Sequence, residues 1–374
     1  MTDQRHLFTD DGFMAAALAL GRQGLGLTAP NPSVGAVIVR DFGDGPRVVG
    51  AGRTANGGRP HAERIALAQA GALAEGATLY VTLEPCSHYG KTPPCADAVI
   101  EAQVGGVVIA TLDPNPLVAG TGVARLEAAG IPVRSGVRAG EARRDMRGHI
   151  SLMRRGRPFV TLKMAMTADG GIGAPDAGQV AISSPRSNQF THLMRAQHDA
   201  ILVGVGTVAA DDPRLTCRLP GMAAWSPRKV VIDPNARMPL TASMLAGGAP
   251  VMVVVADDAD AVRCDQLAQA GAHIVKVPRG KEGLNLEAAL KAIGAAGVGT
   301  VMLEGGAQMA QAFVARRLVD EAHIIVSAQE CDECTIRPFG PHPIATLRTH
   351  FTQTGEALVG DDRWLSFVGP CSQE

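Results

Sequence analysis

Residues 61–95, HAERIALAQAGALAEGATLYVTLEPCSHYGKTPPC, decide the fold of the first half of the chain. A helical segment opens at His61 and stops at Gly71, the apolar stretch ATLYVTL is typical of a buried strand, and a second helix opens at Cys95. Strands and helices that alternate at this spacing predict an α/β sheet with helical crossovers. His61, Cys86 and Cys95 then lie at the ends of neighbouring elements, where their side chains can converge on one point.

The same alternation extends along the rest of the chain. The other elements predicted in the first half are helices over residues 9–21, 95–103 and 122–129, and strands over 33–40, 47–54, 106–110 and 131–134. A second α/β pattern has predicted helices over 184–195 and 308–315, and strands over 159–166, 200–205, 228–232, 251–255, 299–304 and 321–326. A length of 374 residues suits two domains, which we place at residues 1–150 and 151–374.

The segment between the two patterns, residues 138–157, is rich in arginine. Two explanations stay open for it. The segment is a helix and linker whose charges face solvent, or its arginines bind a phosphate group.

One histidine and two cysteines, His61, Cys86 and Cys95, provide three protein ligands for a metal ion. Zinc held by three side chains keeps a fourth position for water, and it lowers the pKa of that water toward neutrality. Glu63, two residues after His61, is placed to accept a proton and to deliver it to the substrate. His-x-Glu followed by Pro-Cys is a signature of zinc deaminases that act on nucleobases.

Each of these residues also has an ordinary explanation. A lone histidine is most often a structural or surface residue, and separate cysteines are often small buried hydrophobic residues. A closed structural zinc site is a further alternative, with His88 as the rival fourth ligand. The joint placement of all three ligands at element ends favours a catalytic site, in which His88 contacts the substrate.

Residues 85–95, PCSHYGKTPPC, resemble the hallmark of the bifunctional riboflavin-biosynthesis deaminase/reductase family. Most nucleobase and tRNA deaminases place two residues between their cysteines, whereas eight stand here. Residues 31–35, NPSVG, and 113–116, DPNP, are similar to the substrate loops of the same family, although DPNP is also a common turn. The resemblance implies a cytidine-deaminase-like three-layer α/β/α domain whose contacts to the pyrimidine nucleotide are Asn31, His88, Lys91, Asp113 and Asn115.

The resemblance continues over residues 158–327 and implies a dihydrofolate-reductase-like α/β domain that uses NADPH. The substrate-facing residues that it implies are Lys163, Gln179, Arg195, Leu215, Arg218 and Glu304. The NADPH-facing residues that it implies are Ala165, Ala181, Thr207, Asp211 and Gly306. Arginines suit the substrate phosphate through bidentate hydrogen bonds, and Lys163 or Asp211 is placed to assist proton movement.

Ordinary explanations stay open in this half as well. Lys163 is otherwise a half-buried strand lysine. Glu304-Gly305-Gly306 either cradles a pyrophosphate at a helix N-terminus or makes a plain strand–helix turn, and no Gly-x-Gly-x-x-Gly fingerprint accompanies it.

Three departures from the family pattern bear on the reductase half. Ala181 stands where a tryptophan is often found, and Gln179 stands where a serine is often found. The segment around Cys331 and Cys334 replaces a glycine-rich stretch. This cysteine pair is a metal or redox site, or else a chance surface pair, and we favour the chance pair because no second pair follows.

Composition limits the partners. The formal net charge is −1, which speaks against a dominant nucleic-acid or anionic-membrane role. The N-terminus lacks the pattern of a secretory signal and no apolar run is long enough for a bilayer, so a cytoplasmic location is expected. The 7 cysteines, an odd number, are expected to be reduced thiols or metal ligands and not a disulfide framework. The expected partners are a small-molecule pyrimidine nucleotide and, from the family resemblance, further copies of the chain in a homo-oligomer.

The sequence thus predicts a bifunctional enzyme with one Zn²⁺ per chain and NADPH as cofactors. It would hydrolytically deaminate 2,5-diamino-6-ribosylamino-4(3H)-pyrimidinone 5′-phosphate and then reduce the ribosyl group to ribityl. Two alternatives stay open. One is a deaminase of another nucleobase or of tRNA adenosine with an inactive reductase-like domain, and the other is a non-catalytic module stabilised by zinc.

Overall fold

The computed structural model describes residues 9–90, 92–116, 118–174, 180–247, 250–329, 331 and 334–370. The chain divides into two compact units, Met1–Gly156 and Arg157–Glu374. Each unit is built on its own sheet. Among the described residues, no helix combines the length and the apolar character that crossing a membrane requires.

The first unit is built on a five-stranded sheet in the order β2-β1-β3-β4-β5. Its strands are β1 (Gly35–Asp41), β2 (Pro46–Arg53), β3 (Thr78–Leu83), β4 (Gly106–Thr111) and β5 (Val133–Ser135). β1 is antiparallel to β2 and β3, whereas β4 runs parallel to both β3 and β5. The α-helices are α1 (Asp10–Arg22), α2 (Ala62–Ala70), α3 (Cys95–Glu101), α4 (Thr121–Ala128), α5 (Ala139–Asp145) and α6 (Arg147–Arg155).

Helix α1 fixes the loop that leads into β1. The Thr9 hydroxyl caps the helix by accepting from the Gly12 N–H, and an apolar face that includes Met14 and Leu18 is buried against the sheet. A Cβ on Gly35 would lie 1.8 Å from the Ala17 carbonyl oxygen, so only glycine allows this approach. The loop before β1, which carries Asn31, is therefore held at one end of the sheet.

The second unit is built on a nine-stranded sheet in the order β10-β9-β8-β7-β11-β6-β12-β14-β13. Its strands are β6 (Phe159–Met166), β7 (Ala200–Gly204), β8 (Arg228–Ile232), β9 (Val251–Ala256), β10 (Ala272–Val277), β11 (Thr300–Leu303), β12 (Glu321–Val326), β13 (Thr352–Val359) and β14 (Asp362–Val368). Strands β6 to β12 pair in parallel, and β14 is antiparallel to β12 and β13. The α-helices are α7 (Pro185–Ala196), α8 (Val205–Asp211), α9 (Ala261–Gln269), α10 (Leu286–Ala295), α11 (Ala307–Ala315) and α12 (Pro343–His350).

The central strands of this sheet are apolar and buried along consecutive residues, so side chains on both faces are shielded from solvent. Every residue of β9, VMVVVA, is buried, and β7 and β8 are buried along most of their length. Continuous apolar runs of this kind are typical of parallel strands. The polar residues that matter for function therefore lie where strands end or where a strand faces a cleft.

Two expectations from the sequence concern the arginine-rich segment 138–157 and the state of the cysteines. The segment 138–157 contains α5 and α6. Arg138 pairs with Asp11 and Glu141, whereas Arg157 is 7% exposed and pairs with Asp320, so not all of the arginines face solvent. The prediction of a chance surface pair and of wholly reduced thiols is wrong, because Cys331 and Cys334 form a disulfide and Cys334 is 1 % exposed. The Cys334 N–H donates to the Cys331 carbonyl oxygen at 3.0 Å, which holds the two cysteines close together.

Candidate active sites

Three potential metal ligands converge at one end of the first sheet. His61 precedes α2 as its N-cap residue, Cys86 follows β3, and Cys95 opens α3. The Nδ1 atom of His61 lies 3.7 Å from the Cys86 sulfur and 3.3 Å from the Cys95 sulfur, and all three ligand atoms lie within 4.8 Å of one another. Tetrahedral zinc with ordinary Zn–N and Zn–S bonds needs ligand atoms about 3.5 Å apart, so this donor set fits the ion.

The two sulfurs are unequal before a metal binds. A hydrogen bond from the Cys95 thiol, aided by the His61 ring and by the Cys95 N–H at 3.2 Å, holds the pKa of Cys86 at about 4. The Cys86 sulfur in turn raises the pKa of Cys95. The Cys86 thiol therefore gives up its proton more readily than an ordinary cysteine, and a bound metal ion would favour the thiolate form of both sulfurs.

Glu63 lies in the first turn of α2 beside these ligands and is 4 % exposed. Burial raises the pKa of its carboxyl, and the negative charge of Cys86 acts in the same direction. A carboxyl with a raised pKa can both hold and release a proton near neutral pH. The arrangement is thus capable of general acid–base chemistry next to a metal-binding site.

A cavity of about 270 Å³ opens over this cluster. The residues predicted for the deaminase site that line it are Asn31, His61, Glu63, Cys86, His88, Asp113 and Asn115. The side-chain amide of Asn31 is fixed there, because it donates to the Gly58 carbonyl oxygen at 2.8 Å and lies 3.3 Å from His61 Nε2. Lys91, also predicted as a substrate contact, lies outside the described residues.

A buried carboxylate shapes the wall that carries Asp113 and Asn115. Glu84 accepts hydrogen bonds of 2.8–3.2 Å from the backbone N–H groups of Asp113, Gly120, Gly122 and Val123. Within the wall, the Asp113 carboxylate accepts from the Asn115 N–H at 2.9 Å. The segment DPNP is therefore a hydrogen-bonded turn and a wall of the cavity at once, so the two explanations offered by the sequence are compatible.

The cavity-lining residues that were not predicted from the sequence include Thr54, Arg59, His149 and Met153. Arg59 donates to the Thr92 hydroxyl at 2.7 Å. Arg59 stands two residues before His61 in the sequence, and this closeness could have identified it as a residue of the cavity. His149 and Met153 lie four residues apart on α6, and this helical spacing was the only signal within a segment interpreted as a linker or a phosphate site.

In the second unit, Arg195 and Glu304 form a buried ion pair. Glu304 follows β11, and both of its oxygens accept from Arg195, at 2.8 Å from Nε and 2.6 Å from Nη2. The third Arg195 nitrogen, Nη1, donates to the Thr216 carbonyl oxygen at 3.2 Å. Thr216 was not among the predicted site residues. The guanidinium fork is therefore engaged in holding Glu304.

Lys163 on β6 faces the same ion pair. Burial lowers the pKa of the Lys163 amine, and Glu304 only partly offsets this. Burial alone would raise the pKa of Glu304, but Arg195 and Lys163 outweigh it and hold that pKa below its ordinary value. Glu304 is therefore ionised at neutral pH inside a largely dry cluster.

Two of the remaining predicted residues of this half, Thr207 and Gly306, contact each other. The Thr207 hydroxyl accepts from the Gly306 N–H at 3.3 Å, which ties the ends of β7 and β11 together. The residues that make no hydrogen bond to the Arg195–Glu304 pair in the described part of the chain are Ala165, Ala181, Asp211, Leu215 and Arg218. Gln179 lies outside the described residues.

The backbone conformations and contacts of Leu215, Arg218 and Gly305 are also defined. Leu215 is buried in a left-handed conformation, and the Arg218 N–H donates to His192 Nδ1 at 3.4 Å. His192 was not predicted. A Cβ on Gly305 would lie 2.7 Å from Met309 Cβ, so this glycine is needed for close packing of α11, as an ordinary strand–helix turn requires.

Two family models match the chain. Residues 8–111 match the cytidine and deoxycytidylate deaminase zinc-binding region, and residues 158–328 match the RibD C-terminal domain. The metal cluster and Glu63 lie within the first match, and the Arg195–Glu304 pair lies within the second. His149 lies in neither.

Whole-chain relatives match as well. The chain is 38% identical over 319 residues to riboflavin biosynthesis protein RibD of Aquifex aeolicus, covering 85% of this chain and 86% of that protein. It is 37% identical to RibD of Escherichia coli, covering 85% of this chain and 87% of that one.

Solved structures agree over nearly the full length. RibD of Acinetobacter baumannii superposes with a TM-score of 0.85 at 34% identity, covering 96% of this chain and 98% of that one. A diaminohydroxyphosphoribosylaminopyrimidine deaminase/5-amino-6-(5-phosphoribosylamino)uracil reductase of Thermotoga maritima superposes with a TM-score of 0.81 at 30% identity, covering 98% and 100%. The predicted fold class, two different α/β domains in this order, is confirmed.

Proposed function

This chain belongs to the RibD family of riboflavin biosynthesis proteins, and from that premise we propose how its two units divide the family's deaminase and reductase chemistry. The first unit deaminates the diamino-ribosylaminopyrimidinone 5′-phosphate. The second unit reduces the ribosyl group of the product. The observation that carries the proposal is the convergence of His61, Cys86 and Cys95 beside a cavity that buried Glu63 also lines.

In the first unit the chain supplies a metal-binding triad, a proton carrier and a nucleotide pocket. Zinc held by His61, Cys86 and Cys95 supplies an activated water at neutral pH. Glu63 accepts a proton and passes it to the ring and to the departing amine, a role that suits a buried carboxyl with a raised pKa. The nucleotide is held by the predicted contacts Asn31, His88, Lys91, Asp113 and Asn115.

In the second unit, bound NADPH would supply a hydride to C1′ of the ribosyl group in its open-chain imine form, and a proton added to the nitrogen would complete the ribitylamine. Arg195 orients Glu304 toward the substrate, since its own fork is engaged. Arg218, whose side chain is exposed, is then the better candidate for the substrate phosphate. Lys163 delivers a proton, because burial lowers the pKa of its amine.

The residues that would hold the nicotinamide cofactor are Ala165, Ala181, Thr207, Asp211 and the turn that begins at Gly306. The Gly306 N–H and Thr207 support this placement because they close the ends of two adjacent parallel strands, where α/β sheets bind ligands. Assembly into a homo-oligomer and a cytoplasmic location remain predictions from the sequence.

Incubation of the purified protein with the diamino-pyrimidinone nucleotide, followed by mass spectrometry, tests both halves. The proposal predicts deamination with or without NADPH, and a further gain of two hydrogens only with NADPH. Deamination alone in both tubes would refute the reductase half and assign the cause to Ala181 and its neighbours. No mass change with zinc present would refute the deaminase half and point to another nucleobase, tRNA adenosine or a non-catalytic module.

A further inference from the structure

Helix α6 contributes a histidine to the cavity of the first unit that neither family model covers. His149 lines the cavity together with Met153, one helical turn later. The side chain of His149 is 14% exposed, and its Nε2 atom is buried without a hydrogen-bond partner. A buried polar nitrogen that has no partner costs free energy unless a ligand supplies one.

A carboxylate of the same cavity wall lies close to this nitrogen. Asp113 Oδ1 lies 3.7 Å from His149 Nε2, which is too long for a direct hydrogen bond. The carboxylate is nevertheless influenced by the ring: burial acts to raise the pKa of Asp113, and His149 with the Asn115 N–H outweighs it and lowers that pKa. A carboxylate acceptor and a ring N–H donor thus stand side by side at the cavity surface.

A hydroxyl group is the ligand that satisfies both, because it accepts from an N–H and donates to a carboxylate at the same time. Neither a phosphate nor a carbonyl suits the pair, since both lack a proton to donate to Asp113. A sugar hydroxyl that enters the gap would give His149 Nε2 its missing partner.

We propose that His149, acting with Asp113, binds a ribose hydroxyl of the nucleotide and makes the deaminase site selective for ribosyl over deoxyribosyl substrates. This inference rests on the proposed deaminase function. It assigns α6, outside the matched deaminase region, to the substrate pocket.

Steady-state deamination by the full-length zinc-loaded protein tests the proposal. The substrates are the diamino-pyrimidinone ribonucleotide and its 2′-deoxy and 3′-deoxy analogues. Wild-type protein is expected to discriminate against at least one analogue by about tenfold in kcat/KM, as one lost hydrogen bond in a buried site predicts. His149→Phe, which keeps the ring volume, should raise KM for the ribonucleotide about tenfold, change kcat little and remove the discrimination.

His149→Gln should restore much of the selectivity, because its amide nitrogen can donate from nearly the same position. His350→Phe, at an exposed histidine of α12, controls for the same chemical change elsewhere and should behave as wild type. Unchanged KM and undiminished discrimination in His149→Phe would overturn the inference and leave His149 a packing residue, even if the melting temperature falls. Absence of turnover by wild-type protein would instead refute the proposed function itself.

Discussion

Different residues of the first site bind the metal ion and transfer the proton, and Glu63 belongs to the second group. The His61 nitrogen and the two cysteine sulfurs are suited to bind zinc. The Glu63 carboxyl is buried beside them, and its raised pKa suits it to carry a proton. We therefore expect Glu63→Gln to keep zinc at one ion per chain and to lose deamination by about a hundredfold or more. Metal analysis and the deamination rate on one preparation check this.

The matched control is Glu101→Gln, at an exposed glutamate of the same unit, which should keep both zinc and activity. Loss of zinc in Glu63→Gln would make Glu63 a structural support of the metal site. A deamination rate within a few-fold of wild type would remove it from the proton path.

Glu304 gives a prediction with a definite pH dependence. Its pKa is lowered in the folded chain by Arg195 and Lys163, so its contribution to stability is present above the ordinary glutamate pKa of about 4.3 and is lost as the pH falls through the folded value. Glu304→Gln leaves Arg195 without its charged partner and should destabilise the second unit by about 3 kcal/mol at neutral pH.

Thermal melts of wild type and Glu304→Gln across pH measure this difference. The gap in melting temperature should be widest near neutral pH and should narrow below about pH 4. A gap that stays constant with pH would mean that the Glu304 charge contributes nothing to the stability of the fold.

The residues of the first site were predictable to different degrees. His61, Glu63, Cys86 and Cys95 carry a spacing whose chemistry is specific, so the sequence identifies them. His149 carries no such signal, because its nearness to Asp113 depends on how α6 packs in the folded unit. The Cys331–Cys334 pair was misjudged for the same reason, because formation of the disulfide depends on how the backbone brings the two cysteines together and not on their spacing in the sequence.

At the scale of elements, Glu84 joins the end of β3 to the start of α4. Its carboxylate accepts from the N–H groups of Gly122 and Val123 and from the loop that carries Asp113. Glu84→Gln replaces one acceptor oxygen by a donor that faces other donors. It should cost about 1–3 kcal/mol of stability and raise KM for deamination, because the Asp113 wall loses its anchor.

Chemical denaturation and KM measurements check this, with Glu127→Gln on the exposed face of α4 as the control. A lower stability with unchanged KM would limit Glu84 to folding. Unchanged values for both would contradict the anchoring role.

Whether an element was predictable depended on how it is buried. Strands such as β9 and β12 are covered on both faces, so their apolar runs stand out in the sequence. Strand β13, TQTGEALV, is mostly exposed and has no apolar alternation, and it was missed. The seven-residue helix α8 was not predicted; only its Val205 and Val208 are buried, so it carries little apolar signal.

At the scale of the whole molecule, each unit has its own hydrophobic core. The cluster around Met14, Val37 and Ile109 uses only residues of the first unit, and the clusters around Leu162 and Val253 use only residues of the second. The metal ligands all belong to the first unit, and the Arg195–Glu304 pair belongs to the second. The stability of the second site therefore does not depend on a metal ion.

We accordingly expect zinc removal to separate the two activities in the full-length protein. After dialysis against a strong chelator, deamination should fall below about 1% of the untreated rate, because no residue replaces the metal's activation of water. Reduction of the separately supplied deaminated nucleotide, followed by loss of NADPH absorbance, should stay within about twofold of the untreated rate. Added Zn²⁺ should restore deamination, because the three ligands stay close together at the end of the sheet. Parallel loss of both activities would show that the second unit needs the metal-bound first unit, and the assignment of separate sites would have to be revised.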